Sequence, residues 1–159
     1  MTIETILISN IKKYPGKQVT IRGWVYNKRL GGALIFLQMR DGSGFIQGTV
    51  VKGEVSEEVF NKAAGTTLET SMEITGLVRE EKRAVGGYEI LVKDVKIISL
   101  SVEYPIGKKE HGPYFLLSHR HLWLRSKKQW AILRIRNEII LGINQFLQDN
   151  SYLKIDSPI

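Results

Sequence analysis

The sequence predicts a mainly β chain: a small five-stranded barrel with one short helix, followed by a hinge, a long helix and one last strand. Three observations point there. Segments with a two-residue apolar repeat recur through the first hundred positions, a long run of helical periodicity fills residues 127–150, and the excess positive charge collects where the two meet, over residues 104–136.

Taken in order, residues 18–26 alternate, with Val19, Ile21 and Val25 on one side and Thr20, Arg22, Trp24 and Tyr26 on the other, as a half-buried strand does. Residues 34–40 and 45–51 form two more strands, and the turn Asp41-Gly42-Ser43-Gly44 between them makes a hairpin. Residues 56–64 read as a short helix. Ser56 caps it, Glu57 and Glu58 sit where the helix dipole favours acids, and Gly65 stops it. Residues 71–79 and 88–100 are the last two strands, joined through Gly86-Gly87. Three strands, a helix and two strands is the order of a five-stranded OB-fold barrel, an oligonucleotide-binding architecture, and it assigns residues 1–102 to one such domain. A small barrel without a ligand is the competing reading.

The helical run carries two apolar stripes. Ile132, Ile135, Ile139, Ile143 and Phe146 form one, and Trp130, Leu133, Ile140 and Leu147 the other. Each face needs a partner, so residues 127–159 read either as the start of a larger architecture or as a segment completed by association. Residues 152–159 follow as a strand-like stretch ending on Pro158 and Ile159.

Composition bounds the chemistry. At 159 residues, 43% hydrophobic and 25% charged, the chain has ordinary globular character. It has no cysteine, which removes disulfides, thiolate catalysis and Cys-type zinc sites. No apolar run is long enough for a membrane span and the N-terminus lacks signal-peptide features, so the expected location is cytoplasmic with no membrane partner. Of the net charge of +7, all is accounted for by residues 104–136. There Lys108, Lys109, Arg120, Arg125, Lys127, Lys128, Arg134 and Arg136 face Glu110 alone, and His111, His119 and His121 lie in the same stretch. The block, which includes the hinge at residues 103–126, reads as a polyanion-facing surface or as a solvated basic linker.

The hairpin carries the sharper signal. Ile35, Leu37, Met39, Ile46 and Val50 share an inner face, while Phe36, Gln38, Gln47 and Thr49 share the outer one. A ring beside amides and a hydroxyl suits a nucleobase, which offers a face to stack on and an edge to read. Packing of those side chains under a loop or a neighbouring domain is the alternative. No catalytic constellation accompanies them: there is no phosphate-cradling glycine loop, no HExxH and no CxxC, so neither catalytic nor metal-binding residues are assigned. Glu110-His111 has no apparent nucleophile or metal partner and reads as part of the hinge.

Three strings carry a family resemblance: Gly23-Trp24-Val25, the run Leu34 to Gly42 with Phe45-Ile46-Gln47, and Lys109-Glu110-His111-Gly112 followed by Phe115-Leu116 and Arg120-His121-Leu122-Trp123-Leu124-Arg125-Ser126. The first two resemble the anticodon-binding barrel of the aspartyl, asparaginyl and lysyl class II aminoacyl-tRNA synthetases, and the third is similar to the asparaginyl branch. Ile132-Leu133-Arg134-Ile135-Arg136 and the stretch from Phe146 to Pro158 look like the motif 1 helix and strand that open the class II catalytic domain.

The resemblance implies tRNA, through its anticodon stem-loop, as the partner. It implies that Phe36 stacks on the central anticodon base, that Gln47 reads that uridine's edge, and that Arg29, in a loop after the first strand, is a basic anticodon contact. Glu89 would approach the anticodon from the fifth strand, and Pro158 would lie at a homodimer interface. ATP and Mg2+ are implied for the full enzyme, which ligates asparagine to its tRNA. Motifs 2 and 3, which hold ATP and the acyl group in that class, are not found in these 159 residues, so the expectation for this chain alone is binding without adenylate formation. An aspartyl relative, a standalone single-strand binder and a structural piece docking through residues 127–159 are the competing readings.

Overall fold

The computed structural model describes residues 3–107 and 109–156, divided between two compact units, Met1–Pro105 and Ile106–Ile159. In the first, the alternating segments become strands that each bury one face. After the two-residue β1 (Glu4–Thr5) come β2 (Gln18–Gly31), β3 (Leu34–Arg40), β4 (Phe45–Val51), the helix α1 (Glu57–Gly65), β5 (Ser71–Glu80) and β6 (Tyr88–Ser99). The long β2 serves two neighbours. Its first half pairs antiparallel with β5, from Gln18 opposite Leu77 to Trp24 opposite Ser71, and its second half pairs with β3, from Trp24 opposite Arg40 to Gly31 opposite Leu34.

β3 pairs with β4, β5 pairs with β6, and Gln47, Gly48 and Thr49 of β4 run parallel to Glu89, Ile90 and Leu91 of β6. The pairings therefore close the circuit β2-β3-β4-β6-β5-β2, with β1 added beside β2. Closure forces close approaches that a side chain would block. A Cβ on Gly23 would lie 2.3 Å from the Arg40 carbonyl oxygen, and one on Gly76 would lie 2.2 Å from that of Leu91, so only glycine fits either position.

Inside the barrel, Ile35, Leu37, Met39, Ile46 and Val50 join Val19, Ile21, Val25, Met72, Ile74 and Ile90, each at most 1% exposed. Full burial of such a side chain contributes about 1.5–3 kcal/mol, so this set dominates the unit's stability. Helix α1 begins as its sequence requires: the Ser56 hydroxyl accepts from the Val59 amide at 3.2 Å, and Val59 and Ala63 face the core. Its far end is held by Lys28, whose ammonium donates to the carbonyls of Ala64 and Thr66.

Two features of this unit depart from expectation. The first long strand does not end at Tyr26. A bulge between Val25 and Asn27 resets the register, and the strand continues to Gly31, so Arg29 stands on β2 opposite Phe36 rather than in a loop. The polar run Asn27-Lys28-Arg29 hid this, because the end of a hairpin buries little on either face. Residues 6–13 also contribute to the core through Ile6, Ile8 and Ile11. They are tied to the hairpin turn by Asp41, whose carboxylate accepts from the Ile8 amide at 2.7 Å and from the Ser43 and Gly44 amides at 2.8 and 3.1 Å.

The second unit is helical. The stretch expected as a hinge holds α2 (Pro113–Ser118) and α3 (Arg120–Trp123), and His111, Phe115 and His119 form a ring stack with centroid separations of 4.6 and 4.4 Å. Helix α4 (Lys127–Asp149) starts at Ser126, its N-cap, and is about 34 Å long at 1.5 Å per residue. Both expected stripes are open to solvent in this chain: Ile135 of the first is 62% exposed and Ile140 of the second 46%.

Residues 152–156 form no strand, contrary to the expectation for residues 152–159. A strand needs a neighbour for its amides and carbonyls, and the described part of this unit offers none. Pro158, the expected dimer-interface residue, lies outside the described residues. Among those described, no helix is long and apolar enough to cross a membrane.

Candidate nucleic-acid interface

The outer face of the β3-β4 hairpin is where the expected site residues meet. Strict alternation puts Phe36 opposite Thr49 and Gln38 opposite Gln47, all four on the face away from the core. Parallel pairing then sets Gln47 beside Glu89 of β6, and antiparallel pairing sets Glu89 beside Arg79 of β5. Phe36 and Gln47 are half-buried, which leaves a ring and an amide accessible on a surface whose backbone is fixed by the barrel.

Arg29 reaches the same face. Its guanidinium carbon lies over the Phe36 ring, 4.8 Å from the centroid, a cation–π contact that places positive charge on a face of that ring. A phosphate or a base brought to Phe36 would meet that charge.

Glu89 is not a solvated carboxylate. It is 2% exposed, and four donors converge on it. Oε2 accepts from the Gln47 amide nitrogen at 3.0 Å and from the Thr49 hydroxyl at 2.9 Å. Oε1 accepts from Arg79 Nε at 2.9 Å and from its Nη2 in a two-pronged pair. Burial pushes the Glu89 carboxyl up, but the hydrogen bonds from Gln47, Arg79 and Thr49 and the charge of Arg79 outweigh it, and the group is held below the ordinary carboxylate range. An ionised carboxylate only accepts hydrogen bonds, so Gln47 must turn its amino group inward and its carbonyl oxygen the other way.

The face continues past Gln47 as an aromatic and basic surface. Tyr26 meets Phe45 edge to face at 4.9 Å, and the Arg40 guanidinium carbon lies 5.9 Å from the Trp24 ring while that arginine pairs with Glu69. Arg79 escaped the sequence reading. Its signal was the near-symmetric spacing of Arg79 and Glu89 about the connection after β5, which places them opposite each other once the two strands pair.

The geometry supplies a stackable ring, an oriented amide, a buried anion that fixes it and two accessible cations, which suits binding of a single-stranded base. Among the described residues, no group of three or more His, Asp or Glu is placed to hold a metal ion.

Comparison with known proteins agrees with that geometry. Residues 19–98 match the family model described as an OB-fold nucleic acid binding domain for the tRNA anticodon. The chain is similar to the crystal structure of asparaginyl-tRNA synthetase from Pyrococcus horikoshii complexed with asparaginyl-adenylate, at 33% identity and a TM-score of 0.91, covering 99% of this chain and 37% of that one. It is similar to asparaginyl-tRNA synthetase from Entamoeba histolytica in complex with asparaginyl-adenylate at 28% identity and a TM-score of 0.82, covering 99% of this chain and 38% of that one. An aspartyl tRNA synthetase from Entamoeba histolytica shares the fold at 24% identity and a TM-score of 0.84, covering 98% of this chain and 39% of the other. The chain thus spans less than two fifths of the length of the synthetases it matches. With half of its residues matched by the family model, the chain belongs to the OB-fold nucleic acid binding domain family.

Proposed function

We propose that this chain is the tRNA-binding front part of an asparaginyl-tRNA synthetase and that the outer face of β3 and β4 receives the anticodon. The observation that carries the reading is the pairing of an accessible Phe36 ring with a Gln47 amide whose orientation is fixed from beneath by Glu89. In this reading Phe36 stacks on the central anticodon base, Gln47 reads its edge, Arg29 attracts the adjoining backbone, and Glu89 supports Gln47 from below.

Asparagine rather than aspartate as the amino acid of the full enzyme is supported by the 33% and 28% identical asparaginyl relatives and by the string Arg120 to Ser126. ATP and Mg2+ would be needed by the full enzyme for its ligation reaction, and a homodimer built through the motif 1 segment and Pro158 belongs to the same proposal.

The test is binding of an anticodon stem-loop. Phe36→Ala weakens it by about 1–3 kcal/mol whichever base stands at the centre, because stacking is indifferent to edge chemistry. Gln47→Ala instead erodes the preference for uridine over cytidine there. Affinity and preference both unchanged in folded variants would mean that the ligand face lies elsewhere.

A further inference from the structure

Gln47 alone is an ambiguous reader. Its carbonyl oxygen and amino group sit on two branches of one plane, and half a turn of the last side-chain torsion exchanges them. With the carbonyl outward, the amide accepts from a base that offers a ring N–H, as uracil does at N3. With the amino group outward, it donates to a base with a ring lone pair, as cytosine has at N3. A freely turning glutamine would bind both pyrimidines.

Here the turn is blocked from below. The Gln47 amino group donates to Glu89 Oε2 at 3.0 Å, and the reversed amide would set its carbonyl oxygen against that same oxygen. This holds only while Glu89 is ionised, since a protonated carboxyl could donate to an inward carbonyl oxygen as well as accept from an inward amino group. A carboxylate only 2% exposed keeps its charge through its partners. Those partners are the Arg79 fork on Oε1 and the Thr49 hydroxyl, 2.9 Å from Oε2.

We propose that Arg79 and Thr49 are positioning residues that hold Gln47, through Glu89, in the one amide orientation that selects uridine over cytidine. The inference rests on the anticodon reading above and adds to it the residues that set its selectivity. Neither residue needs to touch the base. Arg79 acts from the flank, with its side chain 53% exposed, and Thr49 acts from beneath, at 5%.

The experiment measures binding of the 159-residue chain to two anticodon stem-loops that differ only in a central uridine or cytidine. Arg79→Met is expected to lower the uridine-to-cytidine affinity ratio about tenfold, the scale of one bidentate edge contact. The two loops should move in opposite directions, uridine weakening and cytidine strengthening, which general damage to the fold would not produce. Arg79→Lys keeps the charge without the fork and falls between, and Thr49→Val shifts the ratio the same way by less.

A parallel loss for both loops, with a salt dependence about one unit shallower, would make Arg79 a phosphate contact and overturn the proposal. So would an unchanged ratio in Arg79→Met beside a clear preference in the wild type, and that result would leave the anticodon reading standing. A wild-type chain with no preference, and no loss on Phe36→Ala, would remove the anticodon reading and this proposal together.

Discussion

At the residue scale, one buried charge organises the site. Glu89 is held ionised by donors from two strands, β4 and β5, and its folded pKa lies below the ordinary carboxylate value. The sign follows from linkage. A depressed folded pKa contributes stability above the unfolded value, and that contribution is lost as the pH falls through the folded one. Glu89→Gln should therefore cost about 2 kcal/mol at neutral pH, the range for hydrogen bonds to a charged group. The gap between variant and wild type should narrow as the pH drops below the usual carboxylate range, and denaturant unfolding at several pH values checks it. A gap that stays constant into strong acid would mean that Glu89 contributes packing and not charge.

At the element scale, what could be read from the sequence tracked how strictly burial constrains each segment. The hairpin was legible because a slip of one residue would have moved Ile35, Leu37 and Met39 into water and Phe36 and Gln38 into the core. The same alternation brought Phe36 and Gln47 to one face. Helix α1 was legible from its Ser56 cap. The end of β2 was not, because the bulge after Val25 breaks the period exactly where the residues turn polar. Glu89 was singled out only through the resemblance, as a carboxylate approaching the anticodon, and its burial beneath Gln47 was not legible, since that depends on pairing with β4 and long-range pairing leaves no local trace in sequence.

Helix α4 is the opposite case. Its periodicity was plain, yet both apolar stripes remain exposed in the chain itself. The 159-residue chain should accordingly self-associate, whereas a chain ended near Ser101 should sediment as a monomer with an intact barrel. A monomeric full chain that binds no dye for exposed apolar surface would contradict this.

At the scale of the whole molecule, the excess charge and the proposed base-binding residues lie in different parts of the chain. The first unit holds the ring and the amide, while the excess of basic residues lies between residues 104 and 136. Phosphate contacts supply affinity that falls with salt, and base contacts supply choice. Neutralising Lys109, Lys127 and Lys128 together should flatten the slope of log affinity against log salt by about 2–3 units without altering base preference. An unchanged slope would assign that block to solvent or to a protein neighbour. Binding of a single-stranded anticodon on the β3-β4 face is tested most directly by nuclear magnetic resonance of the labelled chain titrated with an anticodon stem-loop. The expected result is that the backbone amides of Phe36, Gln38, Gln47 and Thr49 and the side-chain amide of Gln47 shift together and saturate with the loop. Shifts confined to residues 106–156, with the hairpin signals unmoved at saturation, would contradict it.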